Sequence, residues 1–207
     1  LHGQLTIMSA AKSITDFPEL MDCWRLSNYG SYVNNLYAAD RGLTTLRGCP
    51  KKVLGFVNFS FNKLTSLEGA PSHVCGDFDC SDNKLTSLAG APSHVGGGFY
   101  CRGNELTSLA GAPSHVGGSF SCSVNKLTSL KDVHKHITEI KGIFYAIENP
   151  IESHVLGLLL IKGATEVRLD NERVAEILNR HLGKGRAGML MAQEELIEAG
   201  LEEFAQL

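Results

Sequence analysis

Asn62, Asn83, Asn104 and Asn125 lie 21 residues apart, and each sits in nearly the same sentence. Leu64, Leu85, Leu106 and Leu127 keep the same step, as do Leu67, Leu88, Leu109 and Leu130. Pro50, Pro71, Pro92 and Pro113 form another column, and Val53, Val74, Val95 and Val116 another. Phe78, Phe99 and Phe120 precede Cys80, Cys101 and Cys122 by two residues. The unit reads F-x-C-x-x-N-x-L-T-S-L-x-G-A-P-S-H-V-G-G-x. A unit this short cannot bury its own apolar face, so copies must stack on one another.

The register reaches beyond the obvious copies. One unit earlier, Leu36, Ala38, Leu43 and Leu46 fill the Phe, Cys, Leu and Leu columns, with Arg41 where the asparagine stands elsewhere. Val57 and Phe59 fill the next Phe and Cys columns. Three extra residues enter after Leu130, and the pattern resumes with Phe144, Ala146, Asn149 and Ile151. A weaker copy starts at Val167 and Leu169. F-x-C alternates with period two, the mark of a short strand with Phe and Cys facing inward. A buried asparagine amide can bond backbone groups of its own and the next coil. Gly-Ala-Pro and Gly-Gly are turn chemistry that returns the chain along the far side. No part of the unit is long and periodic enough for a stable helix.

This pattern resembles the leucine-rich repeat family, L-x-x-L-x-L-x-x-N-x-L, with F-x-C in place of L-x-L and the asparagine kept in "NKL" or "NEL". More narrowly, "LTSLxGAPxxVGGxFxCxxN" is similar to short repeats encoded by phage and bacterial genomes. The resemblance implies a repeat solenoid: a curved parallel β-sheet of short strands, a loop-rich convex side, an N-terminal cap and an α-helical C-terminal cap. It divides the chain into an N-terminal extension and cap at 1–35, repeats at 36–151 and a mainly helical cap at 152–207. Some short-repeat bacterial relatives carry a large C-terminal ligase domain, for which the tail here is too short.

The ends read differently from the repeats. Either Met8 is the natural start, with extraneous residues before it, or the chain is a fragment. "SITDFPELMDCWRL" predicts a short helix started by Thr15 or Asp16, with Phe17, Leu20, Met21 and Trp24 on one face. "SHVLGLLLIKG" predicts an apolar helix from Ser153 to Gly163, and Asp170 or Asn171 opens a second, "ERVAEILNRHLG". A third follows, with Leu190, Leu196, Ile197, Leu201 and Phe204 on one side and Glu194, Glu195, Glu198, Glu202 and Glu203 outside.

Candidate chemistry is sparse. The cysteine column also holds Phe59 and Ala146, so it asks for an apolar residue rather than a thiol, and the cysteines are expected to be reduced and inward. Cys75 stands where Gly96 and Gly117 stand and is expected to be partly exposed. His73, His94 and His115 form a second column, with His136 expected to extend it, His134 beside it and no acidic partner. Were the column to hold a metal, His115, His134 and His136 are the ligands to expect. The favoured reading is a repeated loop residue and no cofactor. "GKGR" at 183–186 follows a helix and lacks phosphate-loop spacing. No nucleophile elbow, triad or paired acids emerge, so an enzyme is not expected.

A formal net charge of −3 gives no support for nucleic-acid binding. No apolar run long enough to span a membrane is present, nor a secretory signal, so a cytoplasmic location is expected. What varies is the outward side of the strands: Asn58, Ser60 and Phe61, then Asp79, Ser81 and Asp82, then Tyr100 and Arg102, then Ser121, Ser123 and Val124, then Tyr145, Ile147 and Glu148. Variable outward residues on a constant frame are how a solenoid presents a binding surface. Tyr and Arg are enriched at binding hot spots, so Phe61, Tyr100, Arg102 and Tyr145 are the candidate contacts for a protein partner on the concave face. Two other readings stand beside it: an assembly component docking through the C-terminal helices, and a metal-dependent enzyme at the histidine column.

Overall fold

The computed structural model describes the backbone of residues 32–33 and all of residues 35–207. The expected N-terminal helix, Met8 and Cys23 lie outside the described residues.

The repeats wind into a parallel β-solenoid of about six turns. Each turn gives one short strand to each of two sheets. The seven-stranded sheet stacks Leu36–Tyr37, Val57–Asn58, Phe78–Asp79, Phe99–Tyr100, Phe120–Ser121, Ile143–Tyr145 and Glu166–Arg168 in sequence order, all parallel. Its register pairs Phe78 with Phe99, Phe99 with Phe120, and Phe120 with Phe144. Their rings stack inside at centroid distances of 5.4, 5.4 and 5.5 Å. The neighbouring column, Ala38, Phe59, Cys80, Cys101, Cys122 and Ala146, is fully buried. The weak last copy is a rung of the same sheet, with Val167 opposite Phe144.

The sequence reading did not foresee a second sheet. Tyr32–Val33, Lys52–Val53, His73–Val74, His94–Val95, His115–Val116 and Glu139–Ile140 form six parallel strands, so the return path is not loop alone. Val53, Val74, Val95, Val116 and Ile140 point into the core and the histidines point out.

Between the strands, the Leu-Thr-Ser-Leu turn closes on itself. Ser66, Ser87 and Ser108 each accept the N–H two residues on, at 3.0–3.1 Å. Gly69, Gly90 and Gly111 follow with φ of +84° to +90°, and a Cβ there would come within 2.8 Å of the preceding coil's backbone. Conformation and space both demand glycine. The three extra residues after Leu130 are absorbed by a one-turn helix, α1 (Val133–His136), and Ile137 then takes the buried place of the prolines.

The asparagine column joins the coils. In Asn62, Asn83, Asn104, Asn125 and Asn149, Oδ1 accepts the N–H of Leu43, Leu64, Leu85, Leu106 and Leu127 at 2.9–3.1 Å. Each Nδ2 donates to carbonyls of its own coil and of the coil before it; for Asn104 these are Cys101, Arg102 and Cys80. The reach is therefore to the preceding coil, not the next one. At the last rung Asp170 takes over, its two carboxylate oxygens accepting the N–H of Glu148 and Asn149 at 3.0 and 3.2 Å.

The C-terminal part is helical, with corrections. "SHVLGLLLIKG" forms only a 3-10 turn at Leu156–Leu160. Val155, Leu156, Leu158, Leu159 and Ile161 are all buried, so no polar face is left for an amphipathic helix. Helix α2 (Glu172–His181) starts at Asn171, whose side chain accepts the Val174 N–H. Helix α3 (Gly185–Glu198) buries Gly188, Met189, Ala192 and Leu196, whereas Leu190 and Ile197 are half exposed and Leu201 and Phe204 lie past its end. Small residues set this stripe: a Cβ on Gly188 would meet the His181 carbonyl, so α3 lies close against α2 along the Gly188–Ala192 side. Glu195 is tied to Arg180 at 2.8 Å rather than lying free on an acidic face. Asn179 of α2 reaches the last strand of the seven-stranded sheet. Its Oδ1 accepts the Val167 N–H at 2.7 Å and its Nδ2 donates to the Val167 carbonyl at 2.9 Å.

Candidate functional site

Strand alternation puts a single row of side chains on the outer face of the seven-stranded sheet. By register it runs Tyr37, Asn58, Asp79, Tyr100, Ser121, Tyr145, Arg168. No two neighbours in this row are the same residue, while the inward column one position earlier reads Leu, Val, Phe, Phe, Phe, Phe, Val.

Of the residues expected from sequence, Tyr100 and Tyr145 share this row, with Ser121 alone between them. Arg102 is exposed two residues beyond Tyr100. Phe61 is 63% exposed and belongs to a different line. Asp40, Phe61, Asp82, Gly103, Val124 and Glu148 stand just before the asparagine column position, and all take φ between +53° and +67°. The turn into each asparagine needs left-handed backbone, which Gly103 supplies without strain. Val124, β-branched, is the costliest occupant. Val124→Asn is expected to stabilise the protein by about 1 kcal/mol, read as a higher urea midpoint at unchanged slope.

Sequence reasoning missed Tyr37 and Arg168 at the two ends of the row, although both continue the register. The Tyr37 ring meets Phe56 edge-on at 4.6 Å. The Arg168 guanidinium lies 5.5 Å from the Tyr145 ring centroid and is held by Glu166 at 2.8 Å. Asp77 and Gly98 were missed too. Asp77 accepts the Gly98 N–H at 2.6 Å, and a Cβ on Gly98 would come within 2.5 Å of Tyr100 Cζ. The absence of a side chain at 98 is thus what lets the Tyr100 ring lie where it does. Asp79 accepts the Ser81 N–H at 2.9 Å. Partial burial pushes the Tyr100 hydroxyl pKa up, and the Asp77 and Asp79 carboxylates add to the shift.

The cysteines behave as core residues. Cys80, Cys101 and Cys122 are fully buried and free, and each thiol points at the carbonyl of Tyr100, Ser121 or Tyr145 at 3.3–3.4 Å. Burial pushes all three thiols far above the ordinary range. Cys75 is free and exposed. Iodoacetamide is expected to label Cys75 in the native protein and to reach Cys80, Cys101 and Cys122 only after unfolding. Native labelling of the three, read by mass spectrometry, would refute their inward register.

The histidines form a ladder outside the six-stranded sheet. Ser72, Ser93 and Ser114 each meet the next residue's Nδ1 at 2.9–3.1 Å, and the His94 and His115 rings stack at 4.4 Å. Lys52 precedes the ladder, and Glu139 follows it in register with His115. The next rung is thus an acid rather than His136, because α1 carries His134 and His136 away from the column. Among the described residues no group of three or more His, Cys, Asp or Glu side chains is placed to hold a metal ion, so His115, His134 and His136 are not brought together. No described helix is long and apolar enough to cross a membrane.

No protein-family model, no curated protein and no solved structure matches this chain.

Proposed function

We propose that this protein is a non-enzymatic protein–protein interaction module, a short-repeat solenoid of leucine-rich-repeat type that holds a protein partner on the outer face of its seven-stranded sheet. The observation that carries the reading is the contrast along one set of strands: inward columns repeat and the outward row changes at every rung. A sheet face that only needed solvation would be under no demand to place Tyr100, Tyr145 and Arg168 there. The repeat's likeness to phage and bacterial sequences favours a host-interaction role in a reducing cytoplasm, which suits the free described cysteines. The C-terminal helices fit the role of a solenoid cap, since a terminal turn otherwise exposes core.

Wild type and a Tyr100→Ala/Arg102→Ala variant, each used as bait in bacterial lysate and read by mass spectrometry, test it. A partner held by wild type and lost by the variant is the expected result. A partner held equally by both would move the site off this face.

A second reading has its own observation. Leu190, Met191 and Ile197 are each about half exposed on α3, which suits assembly through the helical end. Concentration-dependent sedimentation at micromolar protein, abolished by Leu190→Glu/Ile197→Glu, would favour it over partner binding on the sheet.

A further inference from the structure

The outer row contains one complete recognition unit and one incomplete one. At the C-terminal end, Tyr145 is covered by the Arg168 guanidinium at 5.5 Å, and Glu166 holds that guanidinium at 2.8 Å. Two rungs earlier the same row offers Tyr100 with carboxylates close by. Asp77 spends one oxygen on the Gly98 N–H and Asp79 spends one on the Ser81 N–H, which fixes both carboxylates beside the ring. Among the described residues no cation pairs with either. Lys84 and Arg102 are the cations nearest in sequence; both are exposed, and among the described residues neither forms an ion pair with Asp77 or Asp79. Tyrosine and carboxylate are in place, and the arginine is missing.

We infer that the outer sheet face around Tyr100 docks an extended polypeptide segment that presents an arginine, seated over Tyr100 between Asp77 and Asp79 as Arg168 is seated over Tyr145 beside Glu166. The inference rests on the interaction-module reading and gives its partner a chemistry. Ser121, the small residue next in the row, leaves the side of Tyr100 toward Tyr145 uncrowded. Arginine is favoured over lysine because a planar guanidinium stacks on a tyrosine ring while its N–H groups reach carboxylates in the same plane. The Tyr37–Phe56 pair, two rungs before Tyr100's own neighbour Asp79 in the case of Tyr37, offers apolar surface to residues flanking the arginine.

A random-peptide display library panned on the full chain tests this, with the selected peptides then measured on wild type, Tyr100→Leu, Asp79→Asn and Arg173→Ala, the last at an exposed position on α2. Circular dichroism and urea midpoints confirm that each variant folds. Enriched peptides are expected to carry arginine. Tyr100→Leu and Asp79→Asn are each expected to weaken them about tenfold, as is arginine-to-lysine exchange in the peptide, while Arg173→Ala leaves them unchanged. Peptides that lose binding with Tyr100→Leu but show no arginine preference would overturn the inference and leave the face reading standing. Arginine-rich peptides that bind Tyr100→Leu and Asp79→Asn as well as wild type would place the arginine elsewhere and overturn it too. Enrichment of nothing that senses Tyr100→Leu would remove both.

Discussion

Asn104→Ala is expected to lower the stability of the protein by about 3–5 kcal/mol. The substitution leaves the Leu85 N–H unpaired and takes one of two donors from each of the carbonyls of Cys80, Cys101 and Arg102, which keep Asn83 Nδ2, Asn125 Nδ2 and the Asp82 N–H. Asn104 is only 7% exposed, so water does not readily replace the side chain. The unpaired buried N–H costs about 1–3 kcal/mol and each of the three lost carbonyl hydrogen bonds about 0.5–1.5 kcal/mol. Asn104→Asp is expected to rescue little, because it keeps the acceptor and turns a carboxylate toward carbonyl oxygens. Urea unfolding followed by circular dichroism measures both. A loss under about 1 kcal/mol for Asn104→Ala would show that the turn re-forms without its ladder.

The second large effect is expected at the edge of the sheet. Asn179 satisfies both the N–H and the carbonyl of Val167 on the last strand of the seven-stranded sheet. One side-chain amide thereby does what a further strand would do. Asn179→Ala is expected to cost about 1–3 kcal/mol and to leave those groups open to pair with another chain. The variant should therefore sediment as a concentration-dependent oligomer, while an Asn179→Gln variant, which keeps an amide, should associate less. A strictly monomeric Asn179→Ala protein at high concentration would show that the edge is protected by some other element.

The inward columns were legible because each is a repeated residue at fixed spacing, and repetition reads core without any knowledge of contacts. The cysteine column was settled by its exceptions, since Phe59 and Ala146 tolerate no thiol chemistry. The six-stranded sheet was not legible for a physical reason. His-Val is two residues between a proline and a Gly-Gly turn, too short to show alternation, and it becomes a strand only because identical copies lie beside it. The face of α3 was misread because the sequence weights large apolar residues, whereas Gly188 and Ala192 decide which side can approach α2. On the outer face Tyr100, Tyr145 and Arg102 were visible as residue types. The role of Gly98 was not, because a missing side chain gives no signal until the ring that fills its space is seen.

The asparagine column also has a direction. Every amide reaches back to the coil made before it, so the buried leucine N–H of a coil is satisfied only when its successor is in place. A nascent chain emerges from its N-terminus first. At each stage of synthesis the newest coil would therefore be the one with open polar groups, and its predecessor would already be closed. The final closure waits for Asp170, which emerges after all five bridging asparagines. A ribosome-bound chain halted before Asp170 should remain open to protease at its last coil alone, and the rest of the solenoid should be sealed behind it.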